Sequence, residues 1–212
     1  MGKNLPFATE ISVRDFITAA GSHEGVHGVV SVAAVAGALG TSLLLRVAAL
    51  PQTRSDSRHD QTTVIDAVAA LTNIQQQLID TIETETAVKV FAARNMPRRS
   101  EAQRTERQVA IQLALRAAAE VPLEVMRFCA RGLTLAEIVA ARCPRRAAAD
   151  VQLGVGLLYA ACCGARTNLE AKLTSLTDAA YLTSVVDEIT RLSGEVETAA
   201  RAAESFVQVP PA

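Results

Sequence analysis

The sequence predicts an all-α protein, a single-domain bundle of long antiparallel helices, and three observations predict it. Apolar residues recur at intervals of three and four along most of the chain, as they do on one face of a helix. No stretch alternates apolar and polar residues as a half-buried strand does. Half of the 212 residues are hydrophobic, yet only 3% are aromatic and Trp is absent, so Ala and Leu, both strong helix formers, supply most of the burial. A chain of this length has ample material for one core. No linker or low-complexity tract divides it, and residues 1–212 are read as one domain.

Each element follows from local signals. Ser12 caps a short helix, VRDFITAA, which Gly21 ends. From Gly28 to Leu45 no charge occurs in eighteen residues dominated by Ala, Gly, Ser and Val. That length is the lower edge of a membrane span. The segment is poor in large apolar residues, however, no second span is evident, and Glu10, Asp15 and Glu24 precede it, unlike a cleavable signal. It is read as a buried helix from about 29 to 50, with Ala34, Gly37, Ala38 and Thr41 allowing close helix contact. Pro51 stops it, and Asp60 is placed as the cap of a helix from about 61 to 94 with Val64, Val68, Leu71, Ile74, Leu78 and Ile82 on one stripe. Pro97 breaks that helix, and Ser100 with Glu101 starts another that runs to about 119. Pro122 opens PLEVMRFCA, which ends near Gly132, and Thr134 caps LAEIVAARC. Pro144 opens a long helix to about 173. The last helix starts at Thr177, with Leu182, Val185, Ile189, Leu192, Val196, Ala199, Ala203 and Phe206 facing inward, and 208–212 form a frayed tail.

Charge and cysteine usage exclude several classes. A net charge of −1 draws in neither nucleic acid nor an anionic membrane. Cys129, Cys143, Cys162 and Cys163 show neither a C-x-x-C nor a zinc spacing, and without a signal segment they point to inert thiols in a reducing cytoplasm. His23 and His27 stand at i and i+4 with Glu24 next to the first, the spacing of a zincin pattern. Gly21, Gly25 and Gly28 oppose a regular helix there and no third ligand is evident, so a polar or substrate-facing loop is expected, with no metal.

Two constellations stay open on the residues alone. Arg94, Arg98, Arg99, Arg104 and Arg107 crowd a 14-residue stretch. They read either as a solvated helix start paired with Glu101 and Glu106, or as a bidentate site for carboxylate or phosphate. Nucleic acid fits poorly without interleaved aromatics. Asp150 and Asn168 share a helix face, but 18 residues separate them by about 27 Å. Asp150 reads equally as a first-turn acid favoured by the helix dipole and as a desolvated acid suited to proton transfer.

Four blocks in order carry a family resemblance: ISVRDFITAAGS; HGVVSVAAVAGALG; VFAARNMPRRS with ERQVAIQLALRAAAEVPLEV; and AADVQLGVGLLYAACCGARTNLEAKLTSLTD. Together they resemble the cyclodeaminase/cyclohydrolase family, the domain of formiminotransferase-cyclodeaminase and of stand-alone methenyltetrahydrofolate cyclohydrolases. The resemblance implies a cyclodeaminase-like helical bundle, a homodimer with the active site near the subunit interface, and no required cofactor. Its small-molecule substrate would be a tetrahydrofolate derivative whose one-carbon unit bridges two nitrogens. On the same ground Asp150 becomes a candidate proton shuttle and Asn168 a substrate hydrogen-bonder. Arg98 and Arg107 become partners for an anionic tail, and Gly28 and Ser31 the ends of the family's Gly-Gly-Gly-Ser turn.

The departures define alternatives. Val29 and Val30 replace two glycines of that turn, where free dihedrals and close backbone approach were expected to matter. His27 stands for the preceding Pro, Ala149 for the Ser before the acid, and Lys172 for the second Asn, which makes His27 and Lys172 new catalytic candidates. Three readings follow: a folate cyclohydrolase or cyclodeaminase, a cyclase or lyase on another nitrogen-containing substrate, and a non-catalytic helical interaction protein.

Overall fold

The computed structural model describes residues 10–22, 28–53, 58–82 and 86–207. Seven helices are seen among them: α1 (Val13–Ala20), α2 (Val29–Ala48), α3 (Arg58–Ile82), α4 (Thr86–Arg94), α5 (Glu101–Ala140), α6 (Ala148–Leu173) and α7 (Ala179–Val207), with no strand. Short 3₁₀ turns at Pro51–Thr53 and Arg145–Ala147 follow α2 and precede α6. The Ser12 hydroxyl accepts a hydrogen bond from the Asp15 amide and Gly21 closes α1, as expected.

The small-residue helix α2 lies at the centre, against α3, α5 and α6. Ala34, Gly37, Ala38 and Thr41 are all buried, and the Thr41 hydroxyl donates to the Gly37 carbonyl at 2.6 Å. The tightest crossing is α2 over α6: a Cβ on Gly40 would sit 2.7 Å from the Gly154 carbonyl oxygen and 3.0 Å from Leu158 Cγ. Only paired glycines let these backbones approach so closely. Beside it, Gly37 faces Leu78 of α3 and Cys129 of α5.

The contacts fix direction. Arg46 meets Asp150, Gly40 meets Gly154, and Gly164 faces Val29 and Ala33, so α2 and α6 run antiparallel. The Ser31 hydroxyl donates to the Ile82 carbonyl, which makes α3 antiparallel to α2. α5 and α7 run parallel, joined by Arg116 with Asp178 and by Arg127 with Glu188, since α6 takes the chain back between them.

Several boundaries differ from the sequence reading. α5 is one helix of 40 residues, about 60 Å long, where three were expected. Pro122 sits buried inside it and removes one bond, that to the Ala118 carbonyl. Gly132 marks a close approach rather than an end, because a Cβ there would meet Leu158 at 3.2 Å. Thr134 does not cap; its hydroxyl donates back to the Ala130 carbonyl. Packing against α6 and α7 overrides all three local boundary signals. α3 begins at Arg58, so Asp60 is inside the helix and not its cap. The expected 61–94 helix is described as α3 and α4, with 83–85 outside the described residues. Phe206 is exposed and Val207 takes the inward place, while the rest of the α7 stripe is buried or half-buried. The expected tail, 208–212, lies outside the described residues.

A second correction concerns apolar length. Both Val29–Ala48 and Arg145–Leu173 are long and apolar enough to cross a membrane, judged by length and composition, whereas the sequence reading found only the first. The two pack side by side, and less than half of each apolar window is buried.

Candidate active site

The expected site residues separate into three places. Gly28, Ser31, Asn168 and Lys172 gather at one end of the bundle, where α2 starts and α6 finishes. Asp150 is at the opposite end of α6, and Arg98 and Arg107 lie beside α4, towards the start of α5. His27 lies outside the described residues, as do His23 and Glu24. Among the described residues no cluster of His, Cys, Asp or Glu could hold a metal ion.

At the first end, Gly28 is the N-cap of α2, extended at φ −86°, and no residue there has positive φ. Val29 and Val30 are simply the first residues of the helix. The backbone freedom expected of a glycine turn is therefore not used in this chain. What the valines change is volume. Val29 walls a cavity of about 470 Å³ together with Ser22, Gly28, Ala33, Ala160 and Gly164. All of these lining side chains are small, so the space lies between α1, α2 and α6 rather than inside the core.

Gly164, Asn168 and Lys172 follow at four-residue steps on one face of α6. Gly164 fixes which face, since a Cβ on it would meet Ala33 and Val29 of α2 at 3.9 and 4.0 Å. Asn168 Oδ1 is buried and has no hydrogen-bond partner. A buried acceptor left unpaired costs about 1–3 kcal/mol, which makes it a place where a bound N–H group would be stabilised. Lys172 is half-buried, and this burial lowers its ammonium pKa below the usual lysine value. A lysine in that state gives up its proton more readily and can serve in proton transfer. Ser31 is engaged structurally: its hydroxyl tethers the last turn of α3 at Ile82, 3.3 Å away.

At the far end Asp150 occupies the first turn of α6 and pairs with Arg46 at 3.5 Å, a partner the sequence reading missed. Its carboxylate is also felt by Cys143, whose thiol is pushed up by burial and then by Asp150. α6 is unbroken from Asp150 to Asn168, so within one chain about 27 Å separates them. The arginine cluster is partly spent: Arg107 donates from Nε and Nη2 to the Arg94 carbonyl at 3.1 and 2.8 Å, closing α4, and Arg104 pairs with Glu101. Arg98 is exposed. A second cavity of about 460 Å³ between α2 and α3, lined by Leu45, Ala48, Val64, Ile65 and Val68 among others, holds no candidate residue.

The small-residue cavity and the Asn168 stripe thus sit where α2 and α6 meet, and residues 12–191 match the formiminotransferase-cyclodeaminase family model. The chain belongs to this family. It is 25% identical over 186 residues to the methenyltetrahydrofolate cyclohydrolase of Methylorubrum extorquens, covering 87% of this chain and 89% of that protein. To the formimidoyltransferase-cyclodeaminase of Gallus gallus it is 24% identical over 184 residues, 86% of this chain; it spans only 34% of that longer protein. Its fold matches the crystal structure of formiminotetrahydrofolate cyclodeaminase from Thermotoga maritima with a TM-score of 0.81 at 20% identity, covering 94% of this chain and 96% of that one. The all-helical bundle is therefore the family's fold.

The sequence reading missed Gly164, Ala160 and Ser22 as cavity walls. Gly164 carried a usable signal, being one helical turn before Asn168 on the same face.

Proposed function

We propose that this protein is a folate cyclohydrolase or cyclodeaminase, acting on a one-carbon unit that bridges two nitrogens of a tetrahydrofolate derivative. The observation that carries the proposal is the buried, unpartnered amide oxygen of Asn168, one turn from a desolvated lysine and beside a cavity walled by Gly28, Val29 and Gly164. The names of the relatives in the family support it.

Both reactions pass through a carbon bonded to the two folate nitrogens, one in the pterin ring and one in the exocyclic amine, and to one further heteroatom. In hydrolysis, water adds to the cationic bridging carbon and loses one proton to solvent; the second proton leaves the oxygen as the carbonyl forms, one carbon–nitrogen bond breaks, and the departing nitrogen takes up a proton, leaving an N-formyl group. In deamination, the second folate nitrogen attacks the protonated formimino carbon and gives up its proton, and the former imino nitrogen takes up a proton and leaves as ammonia, so that the cationic one-carbon bridge forms. Lys172 is assigned the proton transfers, since its lowered pKa suits a group that must both take and return a proton. Asn168 Oδ1 accepts from an N–H of the substrate, which holds the ring system in register. Arg98, exposed near the start of α5, is the candidate for the anionic tail, because the Arg107 guanidinium is committed to the Arg94 carbonyl. No cofactor is required for either reaction. The protein is taken to act in the cytoplasm as a homodimer, without membrane or nucleic-acid partners; the absence of a disulfide among its four cysteines is consistent with that compartment.

A second reading, a cyclase or lyase on a different nitrogen-containing substrate, is favoured by one feature: Val29 fills part of the cavity wall where the family glycine would leave space. The decisive measurement is the decay of methenyltetrahydrofolate absorbance with purified protein. Acceleration over buffer, lost in Lys172→Met and reduced in Asn168→Ala, supports the first reading. No acceleration, with Val29→Gly restoring none, discards it.

A further inference from the structure

Of the 21 Lys and Arg residues in the chain only Lys3, Lys89 and Lys172 are lysine, so positive charge is supplied almost entirely by arginine. Arginine stays protonated in proteins, and of the two only lysine can offer a free amine. Lys172 is half-buried, while Lys89 is exposed. We propose that Lys172 is a nucleophile that captures a neutral short-chain aldehyde as an imine, with the alkyl chain lying between Asn168 and the small-residue cavity at Gly164 and Val29. This inference shares Lys172 and Asn168 with the folate-type site above but does not depend on folate being the substrate.

Two departures from the family pattern lie at the two ends of one space. Lys172 stands where the family has an asparagine, and Val29 where it has a glycine. Val29 and Gly164 both wall the cavity of about 470 Å³ between α1, α2 and α6. Lys172 is eight residues beyond Gly164 on the same face of α6, about 12 Å along the axis. Long side chains on a helix lean back toward its N-terminus and cover the preceding turn, which carries the Lys172 amine to the level of Asn168. About one turn, roughly 5 Å, then separates the amine from the Gly164 wall. A short alkyl chain spans that distance, and Val29 offers it an apolar surface that a glycine lacks.

The surroundings suit an uncharged carbonyl compound. Burial is the sole cause that lowers the Lys172 pKa, so no described carboxylate holds the side chain in its charged form. A lysine desolvated in this way is a nucleophile toward carbonyl carbon. Asn168 Oδ1 is buried and unpartnered, and it accepts from the hydroxyl that forms on the aldehyde oxygen. The described walls of the cavity carry no charged side chain. An α-keto acid would therefore find no cation for its carboxylate, whereas an alkyl chain is removed from water.

The step balances without a redox partner. The Lys172 amine attacks the carbonyl carbon, a carbon–nitrogen bond forms, and the carbonyl π electrons move to oxygen. Nitrogen gives up a proton and oxygen takes one, which yields a carbinolamine. The hydroxyl then takes a second proton from solvent and leaves as water while the nitrogen lone pair closes the carbon–nitrogen double bond. A protonated imine remains, and water reverses the sequence.

The test traps the imine. Purified protein is incubated with butanal and sodium cyanoborohydride, and the reduced adducts are located by peptide mass mapping. Lys172 is expected to gain a butyl group about tenfold faster than Lys89, because binding adds proximity to reactivity. Lys172→Arg should lose this adduct, and Asn168→Ala should slow its formation while leaving Lys89 unchanged. Formaldehyde has no alkyl chain, so its capture at Lys172 should be the same in wild type, Gly164→Val and Ala160→Leu, whereas butanal capture should fall in both variants. A Cβ at Gly164 comes no closer than 3.9 Å to Ala33, and Ala160 is exposed, so both variants should keep the wild-type circular dichroism. Labelling of Lys172 no faster than that of Lys89, or butanal capture unchanged in both cavity variants, would overturn the proposal. Folate turnover lost in Lys172→Met, with the wild-type lysine inert to aldehydes, discards the imine and keeps the proton-transfer role. Aldehyde capture without folate turnover does the reverse.

Discussion

Gly40→Ala tests the crossing that organises the fold. The added methyl would sit 2.7 Å from the Gly154 carbonyl oxygen and 3.0 Å from Leu158 Cγ. The first of these is backbone, so no rotamer change relieves it; α2 and α6 must separate by about half an ångström along much of their length to restore ordinary contact. Overpacking of this kind costs about 1–3 kcal/mol. Against it, replacing a mid-helix glycine by alanine returns about 1 kcal/mol of helix propensity. The balance is a net loss of up to about 2 kcal/mol, read as a lower midpoint in urea at fixed protein concentration, since association would shift the apparent value. Gly194→Ala supplies the contrast. It is on the exposed side of α7 with nothing within 4 Å, so only the propensity term acts and stability should rise by up to about 1 kcal/mol. A Gly40→Ala protein that gains as much stability as Gly194→Ala would refute the close crossing, because the clash would then have cost nothing.

Two further outcomes are expected. Arg127 bridges α5 and α7, donating to Glu188 at 2.8 and 2.9 Å and to Glu120 at 2.7 Å; hydrogen bonding to Arg127 is the main cause holding the Glu188 carboxyl below its ordinary 4.5. A depressed carboxylate contributes stability above its unfolded pKa and loses it as pH falls through the folded value. Arg127→Gln should therefore be less stable at pH 7 by about 1 kcal/mol, with the gap to wild type closing below pH 4.5; a gap constant down to pH 3 contradicts the pairing. Thiol labelling of the folded protein at pH 8 should modify Cys163 first and leave Cys129 and Cys162 protected until unfolding, since burial raises both and takes Cys162 to about 12; rapid labelling of all four would contradict the packing of α6 against α5.

The family, the helical class and most of the inward faces were legible in the sequence. Periodicity alone placed Leu71, Ile74 and Leu78 in the core, and the run from Ala34 to Thr41 against its neighbours, because a 3.6-residue repeat records which side is dry. Local punctuation was less trustworthy. Pro122 and Thr134 signal helix starts and Gly132 an end, yet α5 runs through all three. Their residue types weaken a helix locally, and only the contacts with α6 and α7 show that the loss is outweighed.

What the sequence by itself determined was the set of chemical groups and their spacing along helices: an acid at 150, an amide at 168, a lysine at 172 and a glycine-poor turn at 28–31. The tertiary structure alone decided which of them meet. It opened a cavity beside Val29, left Asn168 Oδ1 buried and unpartnered, tied Arg107 to a carbonyl and Asp150 to Arg46, and kept α6 unbroken. The physical reason is that spacing within a helix fixes direction and rise, whereas proximity across the bundle depends on packing distances set by side chains far apart in sequence. At Gly40 and Gly154 those distances come down to the presence or absence of a single methyl group.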